Sequence, residues 1–372
     1  MLVLKGQYNS AQIMIDEIDD TTRQQIQRML DHPAFAKSYI AIMPDCHAGK
    51  GAVIGFTMKM NDYIIPNIVG VDIGCGVLAA RFAVDQINLP AFDKFILKNI
   101  PAGFAIHHKS KVGDDPTLRH WTKVVGMDYA KALRSIGTLG GGNHFIEVGK
   151  DSRENTWVTI HTGSRHFGLR VANHFQRKAR EAMARNAAGH QEQDLAFLPV
   201  DSQDGRDYLN AARFAQSYAA LNRRTILTEI IHFFGHEPVE TIESVHNFIG
   251  DDDIIRKGAT PARKGERVLI PFNMRDGLAL CTGKGSAKYN YSAPHGAGRI
   301  LSRTKAKQVL SVDAFARGMQ KAGIYTTTAN METLDEAPDA YKDKDLIIQN
   351  IKETVEINDF VKPVYNFKAA GD

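Results

Sequence analysis

Glycine-rich segments that carry histidine, aspartate, cysteine or asparagine recur along this chain, and they limit its fold more than any other feature. Because glycine weakens a helix interior by about 1 kcal/mol, such segments belong to turns at strand ends. The six segments are PDCHAGKG at 44–51, VGVDIGCG at 69–76, GTLGGGNHF at 137–145, HTGSRHFG at 161–168, HNF at 246–248 and HGAGR at 295–299. At these turns the backbone is expected to approach another group closely or to adopt positive φ.

Short β-branched runs and longer amphipathic runs alternate between these segments. The predicted strands are 39–43, 52–57, 77–83, 145–148, 157–160 and 268–270, with 360–368 as a strand or extended arm. The predicted helices are 21–32, 166–185, 208–234 (with Asp207 as its cap), 313–322 and 344–356. Because no repeat or linker divides the chain, the pattern predicts one large α+β domain over residues 1–372. Mixed β-sheets would surround a central metal cleft, with helical excursions near 166–240.

The composition is that of an ordinary globular protein, with 43% hydrophobic residues and a net charge of +4. Three cysteines do not make an even disulfide framework, which favours a reducing compartment. No run reaches the roughly 20 apolar residues of a membrane span, and the amino terminus lacks a signal-peptide pattern. The sequence therefore predicts a cytoplasmic protein with no membrane partner.

Five side chains suit a metal centre. Asp72 and Cys75 stand three residues apart in a glycine-flanked turn, so a carboxylate and a thiolate can converge; a turn aspartate beside a buried cysteine is the alternative. His144, His161 and His246 each stand at a strand end, where a purely structural histidine is the alternative. This donor set suits a transition metal such as Mn, Fe, Co or Zn. Because five ligands exceed one catalytic tetrahedron, two metals sharing the cysteine are the economical interpretation.

His295 differs from the other histidines because two glycines follow it closely. Their backbone N–H groups can surround an anion at the imidazole, and Arg299 can neutralise phosphate charge. We interpret His295 as a nucleophile that forms a phosphoramidate, with Asp45 holding the second ring nitrogen. A histidine in a glycine-rich surface turn is the alternative.

Basic residues cluster at 256–267 and again at 284–307, close in sequence to His246 and His295. A solvated charged face is one interpretation, and a groove for a polyphosphate or an RNA backbone is the other. The glycine run before Asn143 could also cradle phosphate through its backbone N–H groups, although it matches neither a P-loop nor a dinucleotide-binding fingerprint.

In their order along the chain, these segments resemble the RtcB family of RNA ligases, which join an RNA 3′-phosphate or 2′,3′-cyclic phosphate to a 5′-hydroxyl. The resemblance rests on MPDCHAGKG, VGVDIGCG, GGGNHF, HTGSR, HNF, RKGAT and HGAGR, and it runs from Pro44 to about Lys307. It implies a GTP- and Mn²⁺-dependent ligase of RNA repair, RNA splicing or tRNA processing. RNA with such ends would be its substrate, and a release-factor-like or archease-like helper is a candidate partner.

The resemblance also implies residue roles. Asp72, Cys75 and His144 would hold one Mn²⁺, and Cys75, His161 and His246 the second. His295 would attack the α-phosphate of GTP, with Asp45 as the other catalytic residue. The nucleotide-binding residues would be Asn143, His144, Phe145, Ile146, Glu147, His246, Asn247, Asn273, His295, Gly296, Ala297, Gly298 and Lys368. Arg165, Lys257, Arg299 and Arg303 would track the RNA.

Two stretches depart from the family pattern. Residues 271–276 read PFNMRD where the family usually has Gly-Ser-Met-Gly, so Asn273 replaces the serines, and Leu278 stands where a polar guanine contact is expected. The ending FKAAGD replaces a Lys-Gly ending, which leaves Lys368 as the candidate lysine. The short chain and altered loop indicate a divergent bacterial-type member.

Two other functions compete with the ligase. A metal-dependent phosphatase or nuclease on the same scaffold would need the metal ligands without a nucleophilic His295. An RNA-binding relative that has lost the ligase reaction would need only the basic groove.

Overall fold

The computed structural model describes residues 2–185 and 193–369, so the last three positions of the FKAAGD ending lie outside the described residues. The strands are β1 (Leu2–Lys5), β2 (Ser10–Ile13), β3 (Ile40–His47), β4 (Ile54–Lys59), β5 (Tyr63–Ile64), β6 (Gly76–Phe82), β7 (Phe145–Lys150), β8 (Thr156–Thr162), β9 (Leu198–Pro199), β10 (Glu240–Val245), β11 (Asn247–Ile249), β12 (Ile254–Lys257), β13 (Ala259–Pro261), β14 (Arg267–Asn273), β15 (Gly277–Gly283), β16 (Ser292–Pro294) and β17 (Val355–Lys368). The helices are α1 (Asp20–Leu30), α2 (Pro66–Val69), α3 (Leu89–Asn99), α4 (Pro116–Val124), α5 (Tyr129–Arg134), α6 (Arg165–Arg185), α7 (Gln203–Phe234), α8 (Arg303–Val309), α9 (Val312–Lys321) and α10 (Lys344–Asn350).

Two large sheets organise these elements. The first has the order β1-β2-β3-β4-β12-β11, with β2 and β3 parallel and its other neighbours antiparallel. The second has the order β10-β6-β8-β7-β17-β15-β14 and is antiparallel throughout. Its edge strands meet where Leu269 N–H donates to Ser244 Oγ at 2.9 Å, so the sheet curls towards a barrel. The predicted α+β class is confirmed, although only the first sheet is mixed.

Helix α7 contributes to the two largest hydrophobic clusters of the described residues. Its first half packs with the core of the first sheet, where Tyr208 contacts the ring of Phe175 at 5.5 Å between centroids. Its second half places Ile226 and Ile230 against the second sheet. At 32 residues the helix is roughly 48 Å long, which lets one element cover both sheets. Among the described residues, no helix combines the length and the apolarity that crossing a bilayer would require.

Several predicted elements have different ends in the structure. The long helix predicted at 208–234 begins at Gln203, because Ser202 rather than Asp207 caps it by accepting from Gly205 N–H at 3.0 Å. The helix predicted at 344–356 is wrong beyond Asn350, since the chain turns there and enters β17 at Val355. In β17 the residues after Val355 pair with β15, so tertiary pairing overrides the local helical pattern.

Candidate active site

Strand register brings the candidate metal ligands to one edge of the second sheet. His161 pairs with Val77 of β6 on one side and with Phe145 of β7 on the other, so Cys75 and His144 lie just beyond their strand ends. Val245 pairs with Gly76, which places His246 at the same edge. Antiparallel pairing therefore gathers residues that are far apart in the sequence.

The first donor group consists of Asp72, Cys75 and His144, whose ligand atoms lie within 4.8 Å of one another. His144 Nε2 is 3.0 Å from Asp72 Oδ2 and 3.6 Å from Cys75 Sγ. His144 Nδ1 donates to the Leu139 carbonyl at 2.9 Å, so the proton of the neutral ring lies on Nδ1 and Nε2 keeps its lone pair. A backbone carbonyl of this kind commonly orients a metal-binding histidine.

The second donor group consists of Cys75, His161 and His246, again within 4.8 Å. His161 Nε2 is 3.3 Å from Cys75 Sγ and 3.2 Å from His246 Nε2. His161 Nδ1 donates to the Asn143 carbonyl at 3.1 Å, which again leaves Nε2 without a proton in the neutral ring. Cys75 therefore belongs to both groups.

The charges in the cluster favour a bound cation. Burial lowers the pKa of His161 and His246 well below the ordinary value, so both imidazoles are neutral. Burial and the neighbouring Asp72 raise the pKa of the Cys75 thiol well above its ordinary value. A cation among these lone pairs would relieve their mutual repulsion and favour loss of the thiol proton. The nitrogen, sulfur and oxygen donors thus fit transition metals.

Asp72 is held in place by the segment that follows His161. Its Oδ1 accepts from Ser164 N–H at 2.9 Å and from Ser164 Oγ at 3.3 Å. A Cβ at position 163 would lie 2.2 Å from Asp72 Oδ1, so Gly163 is required for this approach. Although burial alone would raise the pKa of Asp72, His144 and Arg165 hold it below its usual range. Sequence reasoning missed Ser164, although its place three residues after His161 was a usable signal.

His295 and Asp45 form a hydrogen-bonded pair beside the donor groups. His295 Nδ1 lies 2.7 Å from Asp45 Oδ2, and the Asp45 side chain is fully buried. The His295 ring centroid is 4.9 Å from that of His246. Gly298, with φ of +75°, packs against the Asp45 carbonyl so closely that a Cβ would lie 2.2 Å from its oxygen. With Nδ1 turned to Asp45, Nε2 is the ring nitrogen left for the cleft that His295 lines.

His295 and most of the ligand set line a cleft of about 680 Å³. The predicted site residues that line it are Asp72, Cys75, Asn143, Phe145, Glu147, His161, His246, Asn247, Asn273, His295, Gly296, Ala297, Gly298, Arg299, Arg303 and Lys368. His144 lines an adjacent cavity. Ile146 packs in the core beneath the second sheet, because successive strand residues point to opposite faces.

Glu147 and Lys368 lie on the paired strands β7 and β17, with Asn366 opposite Glu147 and Phe145 opposite Lys368. Burial raises the pKa of Glu147 to about 8, and its Oε2 accepts from Asn366 Nδ2 at 2.8 Å. Lys368 Nζ donates to the Asn143 carbonyl at 3.1 Å and lies 5.1 Å from the centre of the Phe145 ring. The cleft lining therefore includes a Glu147 carboxyl group that is mostly protonated at neutral pH.

The altered loop is a closed turn. Asn273 Oδ1 accepts from the N–H groups of Arg275 and Asp276, and its Nδ2 donates to Asp276 Oδ2 at 2.7 Å. These bonds tie the Asn273 side chain to its own turn. Leu278 is buried in a hydrophobic cluster of the second sheet and does not line the cleft, which agrees with the departure from the family pattern at this position. Asn247 Oδ1 accepts from Gly258 N–H at 2.8 Å and so supports the cleft wall.

The predicted RNA-binding residues differ in exposure. Lys257 is buried and its Nζ donates to the Lys50 carbonyl, so the structure does not present it to an RNA strand. Burial also lowers its pKa to about 7. Arg165, at the start of α6, has a φ of +55° and donates to the Gly103 carbonyl at 3.4 Å.

Among the other basic residues, Arg256 and Arg263 both pair with Asp252, which argues against a free groove at 256–267.

The Glu336 carboxylate forms ion pairs with three of the predicted site residues, Arg299, Arg303 and Lys368. Sequence reasoning missed Glu336. Arg299 Nη1 lies 3.1 Å from Glu336 Oε1, Arg303 Nη1 lies 3.4 Å from the same atom, and Lys368 Nζ lies 2.9 Å from Oε2. Burial alone would raise the pKa of Glu336. The positive charges of Lys368, Arg303 and Arg299 outweigh that effect and lower the pKa to about 2. No local signal in its short 3-10 turn, Leu334–Glu336, could have indicated this role.

The fold and the site together define a class: an α+β protein with two thiol-sharing donor groups beside a histidine–aspartate pair. The family model described as "tRNA-splicing ligase RtcB" matches residues 25–125 and 117–369 of this chain. The RNA-splicing ligase RtcB of Escherichia coli (strain K12) is 30% identical over 381 residues, which cover 91% of this chain and 92% of that protein. The tRNA-splicing ligase RtcB of Nanoarchaeum equitans is 28% identical over 433 residues, covering 92% and 90%. This chain belongs to the RtcB family of RNA-splicing ligases.

Proposed function

We propose that this protein is a GTP- and Mn²⁺-dependent RNA ligase that joins 3′-phosphate or 2′,3′-cyclic phosphate ends to 5′-hydroxyl ends. One observation carries the proposal: a thiol shared by two donor groups lies in the same cleft as a histidine oriented by a buried aspartate. Family membership supports RNA ligation in splicing or repair. The geometry supports a covalent histidine–GMP intermediate.

The metal ligands fit two Mn²⁺ ions. Asp72, Cys75 and His144 would hold one ion, and Cys75, His161 and His246 the other. When bound, two such cations neutralise phosphate charge and polarise the phosphorus towards attack. Asn143 supports the second group indirectly, because its carbonyl accepts from His161 Nδ1; the same carbonyl also accepts from Lys368 Nζ.

His295 is the nucleophile in this proposal. Its Nε2 attacks the α-phosphorus of GTP, so a P–N bond forms while the bond from that phosphorus to the bridging oxygen breaks and pyrophosphate leaves. Asp45 keeps the ring proton on Nδ1 and stabilises the positive charge that develops on the imidazole. The N–H groups of the Gly296–Gly298 turn, which lines the cleft, would contact phosphate oxygens.

The remaining steps transfer the guanylate to RNA. Water first opens a cyclic phosphate to a 3′-phosphate. An oxygen of that phosphate then displaces His295 from the guanylate, and the 5′-hydroxyl oxygen displaces GMP as its proton passes to water. Glu147, Phe145 and Lys368 would contact the guanine, and Arg165, Arg299 and Arg303 would contact the RNA backbone.

Asp45→Asn is expected to slow guanylation by about 10²–10⁴-fold. An asparagine amide can donate to Nδ1, which moves the ring proton to the attacking nitrogen. The rate of protein labelling by α-phosphate-labelled GTP measures the effect, and metal content and the unfolding midpoint test the fold. Asp313→Asn, at an exposed position of α9, is the matched control. Unchanged labelling in the Asp45 variant would remove the orienting role.

The affinity for GTP is expected to rise with pH up to about 8. A carboxylate accepts from guanine N–H groups, but Glu147 with its pKa of about 8 is mostly protonated at pH 7. Each pH unit below the pKa therefore costs up to about tenfold in affinity, measured as the KM for GTP in the labelling reaction. Glu147→Gln should flatten this dependence, because its amide does not titrate. An equally steep profile in that variant would assign the titration to another group.

Labelled GTP and RNA ends test the proposed function directly. With Mn²⁺ and α-labelled GTP, the protein should acquire a label that acid removes and alkali does not, whereas γ-labelled GTP should give none. RNA strands with a 3′-phosphate and a 5′-hydroxyl should then be joined. Release of the 3′-phosphate without joining would favour a phosphatase, strand cleavage a nuclease, and RNA binding without reaction a non-catalytic relative.

A further inference from the structure

A second cavity, of about 420 Å³, lies beside the donor groups. Asp72, Asn143 and Arg303 line both this cavity and the main cleft, so the two spaces share a wall. Arg165 and Lys131 line its other sides. Because Arg303 is already paired with Asp335 and Glu336, the cavity's basic character rests on Arg165 and Lys131 against the single carboxylate of Asp72. A cavity with this charge balance suits a phosphate backbone.

Phe104 stands at the edge of this cavity with its side chain in solvent. It is 84% exposed, the highest value for a large hydrophobic side chain among the described residues. The turn that carries it is well fixed. Gly103 N–H donates to the Gly140 carbonyl at 2.9 Å, and Leu139 N–H donates to the Pro101 carbonyl at 2.9 Å. The Phe104 ring is therefore exposed to solvent beside the basic cavity, on a turn that backbone hydrogen bonds hold in position.

This combination is suited to a single-stranded nucleic acid. Base stacking on an exposed aromatic ring, next to cations that contact the backbone, is the usual means of binding unpaired strands. A lone exposed phenylalanine would mean little, but this one borders a basic cavity that adjoins the reacting groups.

In-line displacement indicates which strand enters there. The attacking and leaving oxygens lie on opposite sides of the phosphorus in such a reaction. In the proposed function the departing GMP occupies the main cleft near His295. The attacking 5′-hydroxyl then approaches from the other side of Asp72 and His144, where the second cavity lies.

We propose that Phe104 stacks on one of the first three bases of the RNA strand that supplies the 5′-hydroxyl, while Arg165 and Lys131 contact its backbone. This inference rests on the proposed function for the identity of the strand. It makes Phe104 a binding residue for the acceptor end and favours acceptor ends that are unpaired.

The test is a two-strand ligation assay with Phe104→Ala. The KM for the 5′-hydroxyl strand should rise about 5- to 100-fold, the usual effect of losing one stacked base, whereas the KM for the 3′-phosphate strand should not change. Phe104→Trp should restore the wild-type KM. Leu97→Ala, at a position of α3 that is 59% exposed, is the matched control for loss of a surface hydrophobic side chain. Equal KM values for the acceptor strand in the wild type and Phe104→Ala would overturn the proposal.

Abasic acceptors identify the contact itself. Removing the base that stacks should raise the KM in the wild type but have no further effect in Phe104→Ala, whereas additive effects at all three positions would overturn the stacking contact. The fluorescence anisotropy of a labelled 5′-hydroxyl oligonucleotide, without GTP, measures the same contact by binding alone. Failure of the proposed function would appear as an unlabelled wild-type protein. Failure of this inference would appear as equal oligonucleotide affinities in the two proteins.

Discussion

His295→Ala is expected to abolish covalent labelling by GTP, a loss of at least about 10⁴-fold in rate. The variant lacks the imidazole that the Asp45 carboxylate orients, and a nucleophile that forms the covalent bond has no substitute in the same position. The measurement is the labelled fraction of protein after incubation with Mn²⁺ and α-labelled GTP. RNA joining should be lost to the same degree, because every later step needs the guanylate.

Stability needs a separate control in this experiment. Without His295 the buried Asp45 carboxylate loses its partner, which costs about 1–3 kcal/mol. His295→Asn can keep a donor near Asp45 while removing the nucleophile, so it should be as inactive and closer to the wild type in its unfolding midpoint. His236→Ala, at an exposed histidine, should label normally. Label retained in both His295 variants would eliminate the proposed intermediate.

The grouping of the candidate metal ligands and the histidine–aspartate pair could be anticipated, because the residue types that do such chemistry can be recognised in short segments. Glycine beside Asp72, Cys75 and His144 indicated turns at strand ends, and an antiparallel sheet places such ends on one edge. His295 and Asp45 lie 250 residues apart, yet the need of a nucleophilic histidine for a carboxylate partner was enough to suggest the pair. Their geometry and burial came only from the structure.

Charge pairing could not be predicted in the same way. Arg256 reads as part of a basic run, but it is buried against Asp252 and Ser292. Lys257, its neighbour, is buried on β12, which lies between β4 and the edge strand β11 of the first sheet. Glu336 pairs with basic residues from two separate parts of the chain, at 299–303 and at 368, and a distant ion pair leaves no periodic or compositional signal in the sequence. A basic run in the sequence is therefore a weaker indicator of an RNA-binding surface than metal-ligand residue types at strand ends are of a metal site.

The shared thiol predicts an unequal response to ligand removal. Asp72→Ala should empty only the first donor group, and His246→Ala only the second, so each should retain about one Mn²⁺ per chain. Cys75→Ala should lose both ions and all labelling, because Sγ is the only atom common to the two groups. Elemental analysis after dialysis against Mn²⁺ gives the ratio directly.

Cys281→Ala separates the effect of metal loss from that of a missing buried thiol. Cys281 is a buried cysteine that packs in a hydrophobic cluster with Ile270 and Ile347, so its loss costs packing but no ligand. This variant should keep both ions and its labelling. If Cys75→Ala also retains one ion, the thiol belongs to a single group, and the two-ion arrangement must then be assigned to other donors. Complete loss from Cys75→Ala, with one ion left in each single-group variant, is the pattern that only a bridging sulfur produces.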